Sequence, residues 1–174
     1  HYTQIFRNTG SGGFQQDENI QDIGAGFDDD YLELNDMNGD GLADPVRVYE
    51  DHIEYRLNLG WGRWTGPGWT SAPLDMTAPL DDQERQDAEL EDLNGDALTD
   101  LVLVRGDVVR YWINRNGESF DAERQITSDD VDGSIPAKDA STVVLFADMN
   151  GNGSSDIVWI DAGGNVTYLE VFPE

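Results

Sequence analysis

A nine-residue acidic loop recurs three times at a fixed spacing: Asp36-Met-Asn-Gly-Asp-Gly-Leu-Ala-Asp44, Asp92-Leu-Asn-Gly-Asp-Ala-Leu-Thr-Asp100 and Asp148-Met-Asn-Gly-Asn-Gly-Ser-Ser-Asp156. Successive copies start 56 residues apart. A constant period of this size requires stacked supersecondary units, each burying its apolar face against the next. Side-chain oxygens stand at positions 1, 3, 5 and 9 of each copy, which is the ligand type a hard cation takes.

The flanking residues set the unit. Residues 31–34, 88–90 and 143–146 precede the loops, and 46–49, 101–104 and 157–160 follow them, with alternating apolar positions and β-branched content that predict strands. A tight turn leads to a third strand at 53–58, 109–114 and 166–171. An aromatic residue lies six positions after an asparagine in Asn8 to Phe14, Asn58 to Trp64 and Asn114 to Phe120, and a fourth strand is expected to start at each aromatic. The expected fold is therefore all-β, with propeller blades built as four-stranded antiparallel sheets. The expected division of 1–174 is the end of a preceding blade at 1–30, blades at 31–86 and 87–142, and an incomplete blade at 143–174. The strand count predicts about three blades forming an arc of a larger propeller, with closure by oligomerisation as the alternative. Residues 71–86 and 127–138 read as irregular crossings between blades.

Composition narrows the partners. Of 174 residues, 36 are Asp or Glu and 10 are Lys or Arg, a formal charge of −26 that disfavours nucleic acid and anionic membrane surfaces. No apolar run is long enough for a membrane span, so no membrane insertion is expected of this segment. There is no cysteine, which removes disulfides and thiolate metal sites.

Eight carboxylates fall inside the three loops, and bound cations would relieve their repulsion. The EF-hand alternative needs a glutamate at position 12, where the chain has Arg47, Leu103 and Trp159. The expected ligands are Asp36, Asn38, Asp40, the Leu42 carbonyl and Asp44 for the first ion. The second takes Asp92, Asn94, Asp96, the Leu98 carbonyl and Asp100. The third takes Asp148, Asn150, Asn152, the Ser154 carbonyl and Asp156. Oxygen-only ligation selects calcium, up to three structural ions. The third site, one carboxylate short, should be the weakest, and Ala97 replaces the glycine that eases the turn in the other loops.

Loops of the form Asp-x-Asn-Gly-Asp-Gly-x-x-Asp between the first two strands of a blade resemble the FG-GAP and VCBS repeats of the integrin α-subunit propeller type. The last copy, from Leu145 through Ile160 to Tyr168-Leu-Glu-Val-Phe-Pro173, is similar to the propeller of the Tc insecticidal toxin B component, of plasmid virulence proteins and of Rhs/YD-repeat toxins. The resemblance implies a secreted, extracellular bacterial toxin or virulence protein in which the propeller is a non-catalytic module for protein docking. The implied partner is a toxin complex subunit or a cell-surface protein.

Other features offer rival readings. Trp61 and Trp69 sit in a glycine-rich stretch and suggest a lectin-like, glycan-binding alternative, whereas Trp64 occupies the repeated aromatic position and reads as blade core. Arg105-Gly106-Asp107 falls on a hairpin turn and matches an adhesion tripeptide, although a Gly-Asp connection also suits a tight hairpin. The only imidazoles are His1 and His52, and no nucleophile elbow or phosphate loop is present, so no enzyme is expected. The pairs Asp81-Asp82 and Asp129-Asp130 read as solvated surface.

Overall fold

The computed structural model describes residues 4–17, 20–21, 32–66 and 68–172. It is nearly all-β. A two-stranded hairpin comes first, β1 (Ile5–Asn8) with β2 (Phe14–Asp17). The first four-stranded sheet has β3 (Leu32–Asn35), β4 (Asp44–Val48), β5 (His52–Tyr55) and β6 (Thr70–Pro73) in sequential antiparallel order. A short helix, α1 (Asp82–Asp87), leads into the second, made of β7 (Ala88–Glu91), β8 (Asp100–Arg105), β9 (Val108–Trp112) and β12 (Arg124–Ile126). Between β9 and β12, β10 (Asn114–Arg115) and β11 (Ser119–Phe120) form a small separate hairpin. The third sheet has three strands, β13 (Val143–Ala147), β14 (Asp156–Ile160) and β15 (Val166–Leu169).

β2 begins at its repeated aromatic, Phe14, as expected, but the fourth strands of the two four-stranded sheets do not begin at theirs. Trp64 only bridges back to Asn58, and Phe120 pairs with Asn114. The fourth strands start six and four residues later, at Thr70 and Arg124. Each repeated asparagine closes its own turn: the Oδ1 of Asn8 accepts the Gly10 N–H at 2.8 Å, that of Asn58 the Gly60 N–H at 2.9 Å and that of Asn114 the Gly117 N–H at 3.0 Å, which brings each aromatic back opposite its asparagine. Residues 71–86 are also more ordered than expected. They hold most of β6 and then α1, whose N-cap Asp81 accepts the Glu84 N–H while the Glu84 side chain accepts the Asp81 N–H. Tyr31, expected to open a strand, lies outside the described residues.

Cross-strand partners share a sheet face, so the register defines two faces per sheet. Val46, Val48, Ile53, Tyr55 and Ala72 form one face of the first sheet. Ala88, Leu90, Leu101, Leu103 and Trp112 of the second sheet pack on it in one buried cluster. The opposite face of the second sheet, Val102, Val104, Val109 and Tyr111, meets Ile157 and Trp159 of the third, with Val144, Phe146 and Leu169 partly buried beside them. The stack thus has a direction, each sheet covering the forward face of the one before it. No helix among the described residues is long and apolar enough to cross a membrane.

Candidate functional site

The three acidic loops join β3 to β4, β7 to β8 and β13 to β14, and they are built alike. At position 1, Asp36 Oδ1 accepts the N–H of Gly39 at 2.8 Å and of Asp40 at 3.2 Å, and its Oδ2 accepts that of Gly41 at 2.7 Å. Asp92 does the same for Gly95, Asp96 and Ala97. Asp148 takes Gly151 and Gly153, and these N–H bonds hold its carboxyl below the usual carboxylate range. At position 3, Asn38, Asn94 and Asn150 accept the N–H of position 5. At position 5, Asp40, Asp96 and Asn152 accept the N–H of Leu42, Leu98 and Ser154. The Asn38 Nδ2 also donates to Asp40 Oδ2 at 3.1 Å, and Asn94 donates to Asp96 at 3.0 Å. Side chains 1, 3 and 5 therefore gather on the inside of each loop.

Position 9 faces elsewhere. Asp44 and Asp100 are fully buried and use both oxygens on backbone amides. Asp44 accepts Met37 N–H at 3.0 Å and Asn58 N–H at 2.6 Å, and Asp100 accepts Leu93 N–H at 3.0 Å and Asn114 N–H at 2.8 Å. Burial pushes Asp100 up to about 7 and Asp44 up to about 6 despite those bonds, with the loop's other carboxylates adding to the rise. Asp156 keeps the first bond, from Met149 N–H at 2.9 Å, but its buried Oδ1 has no partner among the described residues. The pairing of β14 with β15 carries one more residue in its turn than the equivalent pairings, which puts Val171 where Asn58 and Asn114 stand.

Adjacent loops are tied to one another. The Thr99 N–H and hydroxyl donate to the Asp36 carbonyl at 3.2 and 2.7 Å, and the Ser155 N–H donates to the Asp92 carbonyl at 2.7 Å. Leu98 rests on the preceding loop, with Cδ2 3.3 Å from where a Cβ on Gly39 would sit, and the backbone of Gly153 and Ser154 lies 3.6 Å from the same point on Gly95. Ala97 holds φ +66°, the left-handed value that its glycine counterparts Gly41 and Gly153 also adopt. Asn114, which the sequence marked only by its spacing to an aromatic, is fully buried and joins two blades: its Nδ2 donates to the carbonyls of Met37 at 2.9 Å and Thr99 at 3.0 Å.

The loop donors are all oxygen and so suit calcium. Among the described residues, no three His, Cys, Asp or Glu side chains gather closely enough to hold a metal ion. A cation at positions 1, 3 and 5 would draw on an asparagine oxygen as well as carboxylates, and position 9 is committed to the backbone through both oxygens in the first two loops and through one in the third.

The remaining sequence features fall into place around the loops. Arg105 of the Arg-Gly-Asp turn is held by Asp81 at 2.9 Å and Glu84 at 3.0 Å, and Gly106 bridges Lys138. His52 stacks on Tyr49 and shares a hydrogen bond with Asp51. Asp81 caps α1, and Asp130 accepts from the Thr127 N–H and hydroxyl. Of the repeated aromatics, Phe120 packs on the core, Trp64 is half-buried with its indole N–H on the Gln21 carbonyl, and Phe14 is 72% exposed. Trp69 lies under Arg47, whereas Trp61 is 67% exposed with Arg7 over its ring.

Stacked antiparallel sheets with a loop of this kind between their first two strands define β-propeller blades. Residues 92–159 match the FG-GAP-like repeat family, and the chain resembles the propeller of Tc toxins. The Photorhabdus luminescens Tc holotoxin pore is similar at a TM-score of 0.69 and 20% identity, over 95% of this chain and 8% of that one. The TcdB2-TccC3 crystal structure without the hypervariable C-terminal region gives 0.63 and 21% identity, over 83% of this chain and 6% of that one. An Agrocybe aegerita lectin that recognises non-reducing terminal N-acetylglucosamine gives 0.62 and 19%, over 97% of this chain and 46% of that one. The chain thus spans only a small part of the toxin structures and about half of the lectin. No curated protein matches it.

Proposed function

We propose that this chain is a non-catalytic, calcium-stabilised β-propeller module for protein docking, part of a secreted bacterial toxin or virulence protein. The observation that carries this reading is how the polar residues are used. The acidic side chains of the loops cap turns, His52 opens β5 stacked on Tyr49 and bonded to Asp51, and Asp81 and Asp130 cap a helix and a turn. The first blade exposes Leu34, Leu42, Leu59 and Trp61, apolar surface of the kind that marks protein interaction sites. The resemblance to Tc toxin propellers agrees with a partner that is a subunit of a toxin complex.

Calcium in the loops would be held by Asp36, Asn38 and Asp40, by Asp92, Asn94 and Asp96, and by Asp148, Asn150 and Asn152. The carbonyls of Leu42, Leu98 and Ser154 would complete the sets. Asp44 and Asp100 would reach an ion only by giving up a backbone N–H, whereas Asp156 keeps its Oδ1 without a partner among the described residues. When bound, the ion supplies positive charge that offsets carboxylate repulsion at the connection between strands one and two.

The docking test is binding of the immobilised chain to the toxin-translocating pore component of a Tc complex. Saturable binding supports the reading, and no binding in calcium buffer refutes the toxin-complex partner.

A second reading, glycan binding, is favoured by one observation: Trp61 offers an exposed indole on the loop side of the first sheet, and a lectin shares the fold. An arginine lies over each ring, but Trp69 is half-buried whereas Trp61 is 67% exposed, so Trp61 would carry the contact. A glycan array with the chain and its Trp61→Ala variant decides it. A signal present in the parent and lost in the variant establishes the lectin, and no signal removes it.

A further inference from the structure

Positions 5 and 6 of the third loop read Asn152-Gly153, where the first two loops carry Asp40-Gly41 and Asp96-Ala97. An asparagine followed by glycine is open to attack from within: with no Cβ in the way, the glycine nitrogen can reach the side-chain amide carbon and close a five-membered imide. The chain has five such pairs, at Asn38, Asn94, Asn116, Asn150 and Asn152. The attack needs a group to take the proton from the nitrogen, and donors on the amide oxygen where negative charge develops.

Asn152 has both. The Gly153 N–H donates to Asp148 Oδ2 at 3.0 Å, so the attacking nitrogen already faces a carboxylate. The Asn152 Oδ1 accepts two hydrogen bonds from Ser154, one from its N–H at 2.9 Å and one from its hydroxyl at 2.7 Å. Ser154 is buried, which keeps that hydroxyl on the amide rather than on water. The leaving nitrogen, Nδ2, makes a long bond of 3.5 Å to the Phe172 carbonyl. The other pairs lack part of this set among the described residues. Asn38, Asn94 and Asn150 accept the position-5 N–H, with no hydroxyl beside it. The Gly117 N–H, next to Asn116, donates to the neutral Asn114 amide instead of a carboxylate.

We propose that Asn152 is a site of spontaneous deamidation, by which the third loop acquires the carboxylate that the first two carry at position 5. The Gly153 nitrogen bonds to the Asn152 Cγ and passes its proton to Asp148, while the Ser154 donors hold the oxyanion. The Cγ–Nδ2 bond then breaks, and Nδ2 takes up that proton and leaves as ammonia. Water opens the imide in one of two ways. Attack at Cγ frees the Gly153 nitrogen and gives an aspartate on an unchanged backbone, whereas attack at the main-chain carbonyl gives an isoaspartate. Overall one water enters, one ammonia leaves, and the loop gains one negative charge. The place for the aspartate exists already: Asp40 and Asp96 accept the N–H of Leu42 and Leu98 at 2.9 Å, as Asn152 accepts that of Ser154. A tighter third calcium site would follow, and that consequence rests on the calcium reading, whereas the deamidation does not.

The test is peptide mapping by mass spectrometry on the full chain, incubated in calcium-free buffer at mildly alkaline pH and followed at all five pairs. The parent is compared with its Ser154→Ala variant, folded and in urea, with circular dichroism to verify the fold. In the folded parent Asn152 should convert roughly tenfold faster than Asn38, Asn94 and Asn150, the order that one added hydrogen bond to a developing oxyanion supplies. Ser154→Ala keeps the N–H donor and loses only the hydroxyl, and it should bring Asn152 level with the other loop asparagines. In urea the five pairs should react at similar rates, a comparison that needs no variant. An Asn152 no faster than the other loop asparagines in the folded chain overturns the proposal. So does a preference that survives in urea, and so does an unchanged rate in Ser154→Ala. Because the mapping uses no calcium, failure of the calcium sites would leave its result standing.

Discussion

Replacing Asn114 with alanine should loosen the joint between the first two blades more than any comparable change at a loop. Its side chain makes three buried hydrogen bonds: two donated to the carbonyls of Met37 and Thr99, one accepted from the Gly117 N–H. A net worth of about 1 kcal/mol per bond gives about 3 kcal/mol for Asn114→Ala, and carbonyls left dry in the core push the figure upward. Asn58 sits at the same place in the first blade but is half-buried. It donates to the Ala43 carbonyl at 2.9 Å and accepts the Gly60 N–H at 2.9 Å within its own blade. Water can replace those partners, so Asn58→Ala should cost about 1 kcal/mol. The backbone N–H bonds to Asp100 and Asp44 survive in both variants, which isolates the side chain. Urea unfolding at equal protein concentration gives both values from midpoint and slope. In thermal melts, about 2–4 °C per kcal/mol for a chain of this size puts Asn114→Ala roughly 6–12 °C below the parent. Equal losses for the two variants would refute the inter-blade role of Asn114.

Gly117 has φ +70°, and a Cβ there would meet the Met37 carbonyl oxygen at 2.8 Å, whereas Gly41 has φ +82° and open space. Gly117→Ala should therefore cost more than about 2 kcal/mol and Gly41→Ala about 1 kcal/mol, compared by urea unfolding. Ala97→Gly should stabilise by about 0.5 kcal/mol, because relief at φ +66° exceeds the entropy glycine adds to the unfolded chain; a lower melting temperature would contradict the strain. Burial alone would raise Glu123, but bonds from Arg110, the Thr77 N–H and Gln125 outweigh it and bring the carboxyl down from 4.5 to about 2. A depressed acid contributes its full stability above its unfolded pKa and loses it as pH falls. The stability gap between the parent and Glu123→Gln should then be constant above pH 4.5 and shrink toward pH 2; a gap independent of pH would refute the Arg110 pairing.

The period of the acidic loops was enough to place the blades, because strand alternation on both sides of each loop fixes which residues can share a face. Four things escaped it. The role of position 9 follows from burial: Asp44 and Asp100 look like ligands in a linear motif, and only the stacked sheets turn them inward onto the Asn58 and Asn114 amides. The fourth strands are short and lack a clear alternation, as Arg124-Gln-Ile126 shows, so the aromatic before them was the only mark available. Helix α1 was legible in principle, since Asp81 followed three residues later by Glu84 is a capping box. Its six residues contain no apolar periodicity to draw attention to it. The joint at Asn114 joins residues more than seventy positions apart and has no local signature beyond a repeated asparagine.

The loops' affinity for calcium tests the account most directly, by calorimetry on the chelated protein with melting curves recorded in parallel. The account predicts binding heat from the three loops, weakest for the loop where Asn152 replaces a carboxylate, and a higher melting temperature. Calcium at a hundredfold excess over a site's Kd adds about 2.7 kcal/mol per site. No heat and no change in melting temperature would show that the loops are turns closed by their own amides, and would contradict the account.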